Sequence, residues 1–419
     1  MRVTVVGGAS TYTPELVDGL ARLRDVLPVE SLVLADPAAE RLEVVAAMSR
    51  RMLARAGHPA EVVATTDIAA GVTDADAVLL QLRVGGQAAR MQDEAWPIEC
   101  GCIGQETTGA GGLAKALRTV PVVLEIAEVV RERARPDAWI VDFTNPVGIV
   151  TRALLQAGHR SVGLCNVAIG FQRWFAELLE VAPTEVSLGH VGLNHLTWER
   201  SVVVDGRDVL PDLIDRHAAA IGDRVDEPEE LIRRLGVVPS YYLHYFWNHD
   251  AAVRAARGAT SRGAQVAEME RTLLEMYADP SVDEKPALLG QRGGAFYSEA
   301  AIDLLASLTS DRGDVQVVNL RNDGTLPFLP EDAVVEVPAT ITATGATALP
   351  VDPVEPLYSG LISHTFAYEQ LALEAALHGG RERVFDALLA HPLVGQIEQA
   401  ERLTDLLLAA NRDHLGWAR

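Results

Sequence analysis

An α/β fold with a doubly wound parallel sheet, followed by an α+β C-terminal domain, is what the sequence predicts. Three observations carry that expectation. Short apolar runs alternate with helical stretches through residues 1–182. The first apolar run ends in a glycine-rich turn. After about residue 183 the alternation stops, and strand-like runs follow one another directly.

The elements can be justified in order. Residues 2–7, RVTVVG, form a short apolar strand ending in glycine. In 13–23, Leu16, Leu20 and Leu23 share one helical face, and Pro14 suits a first turn. A second strand, 31–35, ends at Asp36 and Pro37, and an Ala- and Arg-rich helix runs from there to about residue 56. Strands at 61–64 and 77–82 follow, then a helix over 113–133 and strands at 138–143 and 161–164, the last ending at Cys165. Strands separated by helices imply parallel pairing, because a parallel return needs a long crossover. In the second half, 186–195 and 197–204 predict strands, and VDGRDV carries a hairpin turn at Asp205-Gly206. Helical stretches, one β segment over 315–341 and closing helices from about 359 to 411 complete the chain. The expected division is 1–182 and 183–419.

Length and charge narrow the function. A chain of 419 residues exceeds one core of ordinary size. It carries 36 basic and 58 acidic residues, a net of −22, which repels nucleic acid and anionic membranes. Neither is expected as a partner, and an anionic substrate would need a local gathering of arginines. Three cysteines, Cys100, Cys102 and Cys165, argue against a disulfide framework and for a reducing compartment, the cytoplasm. The opening MRVTVVGG reads as a strand rather than a signal peptide, and no apolar run approaches the roughly 20 residues of a membrane helix.

The glycine turn suggests a Rossmann-type dinucleotide site. Gly7, Gly8, Ser10 and Thr11 lie between the first strand and the first helix, where glycines admit a pyrophosphate and free N–H groups face it. Asp36 ends the second strand, placed to accept hydrogen bonds from a ribose and to repel a 2′-phosphate, so NAD is expected over NADP. The strict G-x-G-x-x-G pattern is absent, and Asp36 stands further along than the usual spacing of roughly 20 residues. A tight strand–helix turn without a ligand is the plain alternative.

Cys165 falls at the edge of the sheet where α/β folds bind ligands, and His195 follows 30 residues later. A thiolate and an imidazole together could hold a divalent metal, with substrate oxygens completing the shell. A buried cysteine is also simply a small hydrophobe, and a lone histidine is often structural.

Several strings in one order go further: VVGGASTYTPEL (5–16), IGQETTGAGG (103–112), FTNPVG (143–148), GLCNVAI (163–169), GLNHL (192–196), YYLHYF (241–246) and RGGAFYS (292–298). With these the chain resembles glycoside hydrolase family 4, the NAD- and metal-dependent glycosidases, over nearly its whole length. The resemblance implies that Cys165 and His195 ligate the metal, usually Mn2+. It implies that Asn145, Arg90 and Arg262 hold the sugar hydroxyls and a 6-phosphate, with Arg83 as an addition. Asn166 stands where the α-glycoside branch has an aspartate acid, which looks like the 6-phospho-β-glucosidase branch. Tyr242 is implied as the base, since the family places it 20 residues before the arginine now at 262. Tyr241 and Tyr245 are its neighbours, and Phe246 departs from the family's tyrosine. The implied chemistry is oxidation at carbon 3 by NAD, proton removal from carbon 2 by Tyr242, elimination, water addition and re-reduction, with NAD recycled. The second domain would carry substrate, metal and oligomer contacts, in a homodimer or homotetramer. Competing readings are an NAD-dependent hydroxyacid dehydrogenase on the same fold, a non-catalytic NAD sensor, and a family 4 glycosidase acting on an unphosphorylated sugar.

Overall fold

A computed structural model of the chain describes every residue except Ala295 and Arg419. Six strands, β1 (Arg2–Val6), β2 (Ser31–Ala35), β3 (Glu61–Thr65), β4 (Ala77–Leu80), β5 (Trp139–Asp142) and β6 (Ser161–Gly163), pair in parallel in the order 3-2-1-4-5-6. That is the dinucleotide-binding order, in which the chain reverses direction between β1 and β4 and leaves a crevice at the carboxyl ends of the strands. Alternation along β1 explains the layers. Val3 and Val5 face one apolar core, with the helices Thr13–Arg22 and Ala39–Arg55, and Val6 faces another, with the helix Ala110–Arg133.

The sheet does not stop at β6. The later strands are β7 (Val186–Leu193), β8 (Leu196–Val204), β9 (Arg207–Asp208), β10 (Val238–Pro239), β11 (Asp314–Arg321), β12 (Val334–Thr342) and β13 (Gly345–Ala348). β11 pairs antiparallel with β6, and the order continues through β12, β7 and β8 to β10. Both parts of the chain therefore share one 13-stranded sheet. The hairpin turn at Asp205-Gly206 joins β8 to β9 as the sequence suggests.

The expected β segment over 315–341 is two strands. A loop parts β11 from β12, and buried Asn322 organises it: its amide donates to the carbonyls of Leu326, Leu329 and Pro330 and accepts the N–H of Leu326. The helix Gly86–Glu99, which the sequence reading left out, lacks a clean apolar face because it buries Arg90, Asp93 and Glu94. The closing helices are Pro356–His378, Arg381–Ala390 and Ile397–Asn411, and the first packs against Ala110–Arg133. No helix among the described residues is long and apolar enough to cross a membrane.

Candidate active site

A cavity of about 980 Å³ opens at the carboxyl ends of β1, β4 and β5. Its floor starts at the glycine turn. Gly7 has φ +88°, and a Cβ there would sit 2.7 Å from the carbonyl oxygen of Gln81, so only glycine fits. Ser10 and Asp36 also line the cavity. Asp36 accepts the N–H of Ala9 at 3.2 Å and of Ala38 at 2.9 Å, which fixes the turn against the end of β2. Two expected cofactor residues lie elsewhere. Gly8 packs on β2, where a Cβ would meet Leu34 Cα at 2.8 Å, and Thr11 is fully buried, its carbonyl accepting the Tyr277 hydroxyl at 2.8 Å. Neither lines the cavity.

Across from this turn three reactive side chains converge. His195 sits in the two-residue turn between β7 and β8 with φ +65°, an unusual backbone for a side chain of that size. Its Nδ1 lies 3.0 Å from the Thr107 hydroxyl, which leaves Nε2 as the ring's remaining ligating atom. Burial holds this imidazole down at about 4, so it is neutral near pH 7 and able to ligate a cation. The Tyr242 ring stacks on it, with centroids 3.7 Å apart and planes at 9°. Burial, with Tyr241 and Cys165 adding to it, raises the Tyr242 phenol well above the ordinary range. Cys165 lies two residues beyond the end of β6, behind the cavity wall, and burial pushes its thiol up to about 12 while Asn194 and Tyr297 hydrogen-bond to it. The sulfur, the ring nitrogen and the phenol suit a divalent cation and a proton acceptor side by side. Among the described residues no three His, Cys, Asp or Glu side chains are grouped for a metal, so this pair would take further ligands from substrate or water.

Tyr241 and Tyr245 also line the cavity, their rings 4.7 and 6.4 Å from that of Tyr242. Phe246 packs into apolar clusters instead, where a hydroxyl would have no use. Asn145 and Asn166 both face the cavity, and the buried Asn145 Oδ1 has no partner among the described residues, an acceptor ready for a ligand hydroxyl.

The wall is cationic. Arg83, Arg90 and Lys115 surround Glu106: Lys115 Nζ lies 2.9 Å and Arg90 Nη1 3.3 Å from it, and Arg83 pairs with it directly. Burial alone would raise Glu106, but these cations hold it well below the usual carboxylate range. Burial lowers Lys115 to about 8. A second group centres on Glu270, which accepts from Arg292 at 2.8 Å, Arg41 at 3.2 Å and Gln87 at 3.0 Å. Arg262 differs. Its guanidinium meets only the Gln291 carbonyl at 2.7 Å and Gln265 at 3.3 Å, and it forms no ion pair among the described residues. Six cations thus line the cavity against Asp36, Glu106 and Glu270, in a chain whose net charge is −22.

Glu106, Lys115, Arg41, Glu270 and Arg292 escaped the sequence reading. Glu106 and Arg292 lay within the quoted strings (Ala295 of RGGAFYS is outside the described residues), and Lys115 is one of only two lysines in the chain. Such a rare lysine among the small and apolar residues that open the helix Ala110–Arg133 was the available signal.

Fold and site together define an enzyme of the Rossmann class in which a dinucleotide turn faces an imidazole and a phenol across one cationic cavity, with a thiol behind its wall. Residues 2–181 match the family 4 glycosyl hydrolases, and residues 190–394 match the C-terminal domain of that family. The chain belongs to glycoside hydrolase family 4. It is 37% identical to a probable 6-phospho-beta-glucosidase of Bacillus subtilis (strain 168), over 99% of this chain and 97% of that protein. It is also similar to the 6-phospho-beta glucosidase of Thermotoga maritima, solved with NAD and glucose-6-phosphate: TM-score 0.93, 34% identity, 99% of each chain covered. A second form of that enzyme holds manganese, NAD+ and glucose-6-phosphate, with a TM-score of 0.92, 33% identity and the same coverage. A malate dehydrogenase from Plasmodium falciparum shares the fold alone, with a TM-score of 0.54 at 13% identity over 93% of this chain and all of that one.

Proposed function

We propose that this enzyme hydrolyses 6-phospho-β-D-glucosides, using NAD and a divalent metal such as Mn2+. The observation that carries the reading is the cationic cavity, in which Arg262 has no carboxylate partner. A strongly acidic chain gathers such charge to bind an anion. The relatives named above act on or bind 6-phosphorylated glucose, and Asn166 replaces the aspartate acid of the α-glycoside branch.

Gly7, Ser10 and Asp36 would hold NAD, and Cys165 and His195 would hold the metal. When bound, NAD accepts hydride from carbon 3 of the sugar, and the metal acts as a Lewis acid on the sugar oxygens. The chain does the rest. Arg262, with Arg90 and Arg83, takes the 6-phosphate and so fixes which carbons face Tyr242. Asn145 accepts from a sugar hydroxyl, and Asn166 lies beside the leaving group. Tyr242 takes the proton from carbon 2, which requires positive charge nearby, because a phenol is protonated near pH 7 and burial here raises it further. Loss of the aglycone, water addition and return of hydride then regenerate NAD.

We assign NAD binding to residues 1–182 and oligomer contacts to 183–419, with His195, Tyr242 and Arg262 of the second part completing a substrate and metal site that Arg83, Arg90, Asn145, Cys165 and Asn166 of the first part share. A homodimer or homotetramer is the proposed assembly. The cytoplasm is the proposed location, which suits three free cysteines. The test is hydrolysis of nitrophenyl β-glucoside with and without a 6-phosphate, in the presence of NAD and Mn2+. Cleavage of the phosphorylated substrate alone is expected. Equal rates on both would overturn phosphate recognition, and net NADH formation would point to a dehydrogenase.

A further inference from the structure

Behind Cys165 and His195 runs a chain of buried polar groups that the proposed reaction does not use. His190 on β7 has no exposed side-chain surface, and each ring nitrogen faces a carboxylate. Nδ1 lies 2.6 Å from Glu199 on β8, and Nε2 lies 3.0 Å from Glu336 on β12. Both glutamates are 1% exposed. The other oxygen of Glu336 accepts from Asn194 and from Asn319, each at 2.8 Å. Asn194 hydrogen-bonds in turn to the Cys165 thiol, and the next residue is His195.

Sheet cohesion does not explain this arrangement. β7, β8 and β12 are already joined through their backbones. Two carboxylates and an imidazole are costly to desolvate, and apolar residues of similar size would hold the strands at least as well. What the charged chain adds is direction. Glu336 can satisfy His190, Asn194 and Asn319 in only one arrangement, so it fixes the Asn194 amide. That amide fixes the sulfur of Cys165, and its backbone sets the left-handed turn that presents the His195 ring. Gly192 tightens the same hairpin, since a Cβ there would meet the Leu196 carbonyl oxygen at 2.0 Å. Glu336 also directs negative charge at both Cys165 and His195, which favours a cation between them.

We propose that Glu336, anchored by His190 and Glu199, is a positioning residue for metal binding, acting through Asn194 on the Cys165–His195 pair. The proposal rests on the reading of that pair as the metal ligands. It takes no part in hydride or proton transfer, so its signature is metal affinity. Groups that orient metal ligands typically cost about 10–100-fold in affinity when removed.

The experiment is an Mn2+ titration followed by electron paramagnetic resonance on the full-length wild type, E336Q, N194S and C165S, with NAD binding measured alongside. E336Q keeps shape but loses the charge and one acceptor. N194S cuts only the last link and leaves Glu336 paired with His190 and Asn319, so it tests the idea even if E336Q does not fold. Both variants are expected to raise the Mn2+ Kd about 10–100-fold, with NAD affinity unchanged and turnover recovered at excess Mn2+. C165S should lose high-affinity Mn2+ altogether. Wild-type Mn2+ affinity in folded N194S, or in folded E336Q, would overturn the proposal while C165S still lost the metal. Wild-type affinity in C165S would instead overturn the ligand assignment itself.

Discussion

Arg262→Ala separates phosphate recognition from everything else in the cavity. Arg262 is the first residue of the helix Arg262–Ala278, whose N-cap Ser261 accepts the N–H of Ala264 at 3.2 Å. A cation at a helix N-terminus opposes the dipole and costs about 0.3–1 kcal/mol. Its two hydrogen bonds go to neutral groups, so removing it strands no buried charge. Stability should therefore hold steady or rise slightly. Binding is another matter. Hydrogen bonds to a charged group are worth about 1.5–3 kcal/mol, and at about 1.36 kcal/mol per decade this is roughly a 10–150-fold loss of kcat/KM on a 6-phosphorylated substrate. The same variant should change glucose affinity by less than about 2-fold, since only the phosphate term is removed. Arg262→Lys should recover part of the loss, because lysine restores the charge without the two-pronged geometry. The assay is kcat/KM on nitrophenyl 6-phospho-β-glucoside beside competition by glucose 6-phosphate and by glucose. An equal loss toward both competitors would refute the reasoning, as would a lowered Tm.

Three further outcomes follow from the same geometry. Tyr242→Phe keeps the ring that stacks on His195 and removes the proton acceptor, so turnover should fall about 10²–10⁴-fold. Wild-type enzyme in deuterated water should place deuterium at carbon 2, and if Tyr241→Phe or Tyr245→Phe shows the loss instead, the base is a neighbour. Asp36→Ala should weaken NAD binding by about 1.5–3 kcal/mol. It should also narrow the preference over NADP, and an unchanged NAD Kd would count against the ribose contact. For the metal-free protein, His195 titrates at about 4 when folded and near 6.5 when unfolded. Its folded pKa is depressed, so the unfolded chain binds more protons in that window. Stability should fall by up to about 3 kcal/mol as pH drops from 6.5 to 4. Denaturant melts of wild type and His195→Gln across that range check it: the variant should lack that component, and parallel profiles would contradict the buried neutral imidazole.

What the sequence made legible divides along a physical line. Strands buried on both faces, as β1, β2, β4, β5 and β6 nearly are, read as continuous apolar runs, and all six parallel strands appear in the sequence within one or two residues of their ends. The place of Gly7 and Asp36 at the cavity was readable because a backbone turn imposes a residue type locally. Gly8 and Thr11 do not line the cavity, because adjacency in a loop says nothing of which way each residue faces: one packs on Leu34, the other turns into the protein beside Tyr277. Glu106 and Lys115 stayed hidden for a different reason. They lie nine residues apart, and their pairing depends on Arg83 and Arg90, which reach them only through the tertiary fold. The Glu199–His190–Glu336 chain is harder still, since β12 meets β7 across more than 140 residues of sequence.

The fold by itself leaves a dehydrogenase and a glycosidase equally open, and the histidines decide between them. A hydroxyacid dehydrogenase needs an imidazole beside the substrate that alternates between neutral and charged forms, held by a carboxylate. His190 has carboxylates on both nitrogens, but they raise it to about 10 and it has no exposed side-chain surface, so it can neither reach a substrate nor release its proton near pH 7. His195 does face the cavity, but its Nδ1 partner is the Thr107 hydroxyl, and burial keeps the ring neutral. An imidazole neutral near pH 7, stacked on a phenol and set near a thiol, is poorly suited to shuttle protons and well suited to bind a cation. On the proposed reading proton transfer falls to the phenol, and a phenol can serve as base near neutral pH only where positive charge gathers around it. The candidate metal pair beside the phenol would supply that condition, which fits the proposed elimination begun at carbon 2 rather than a simple oxidation.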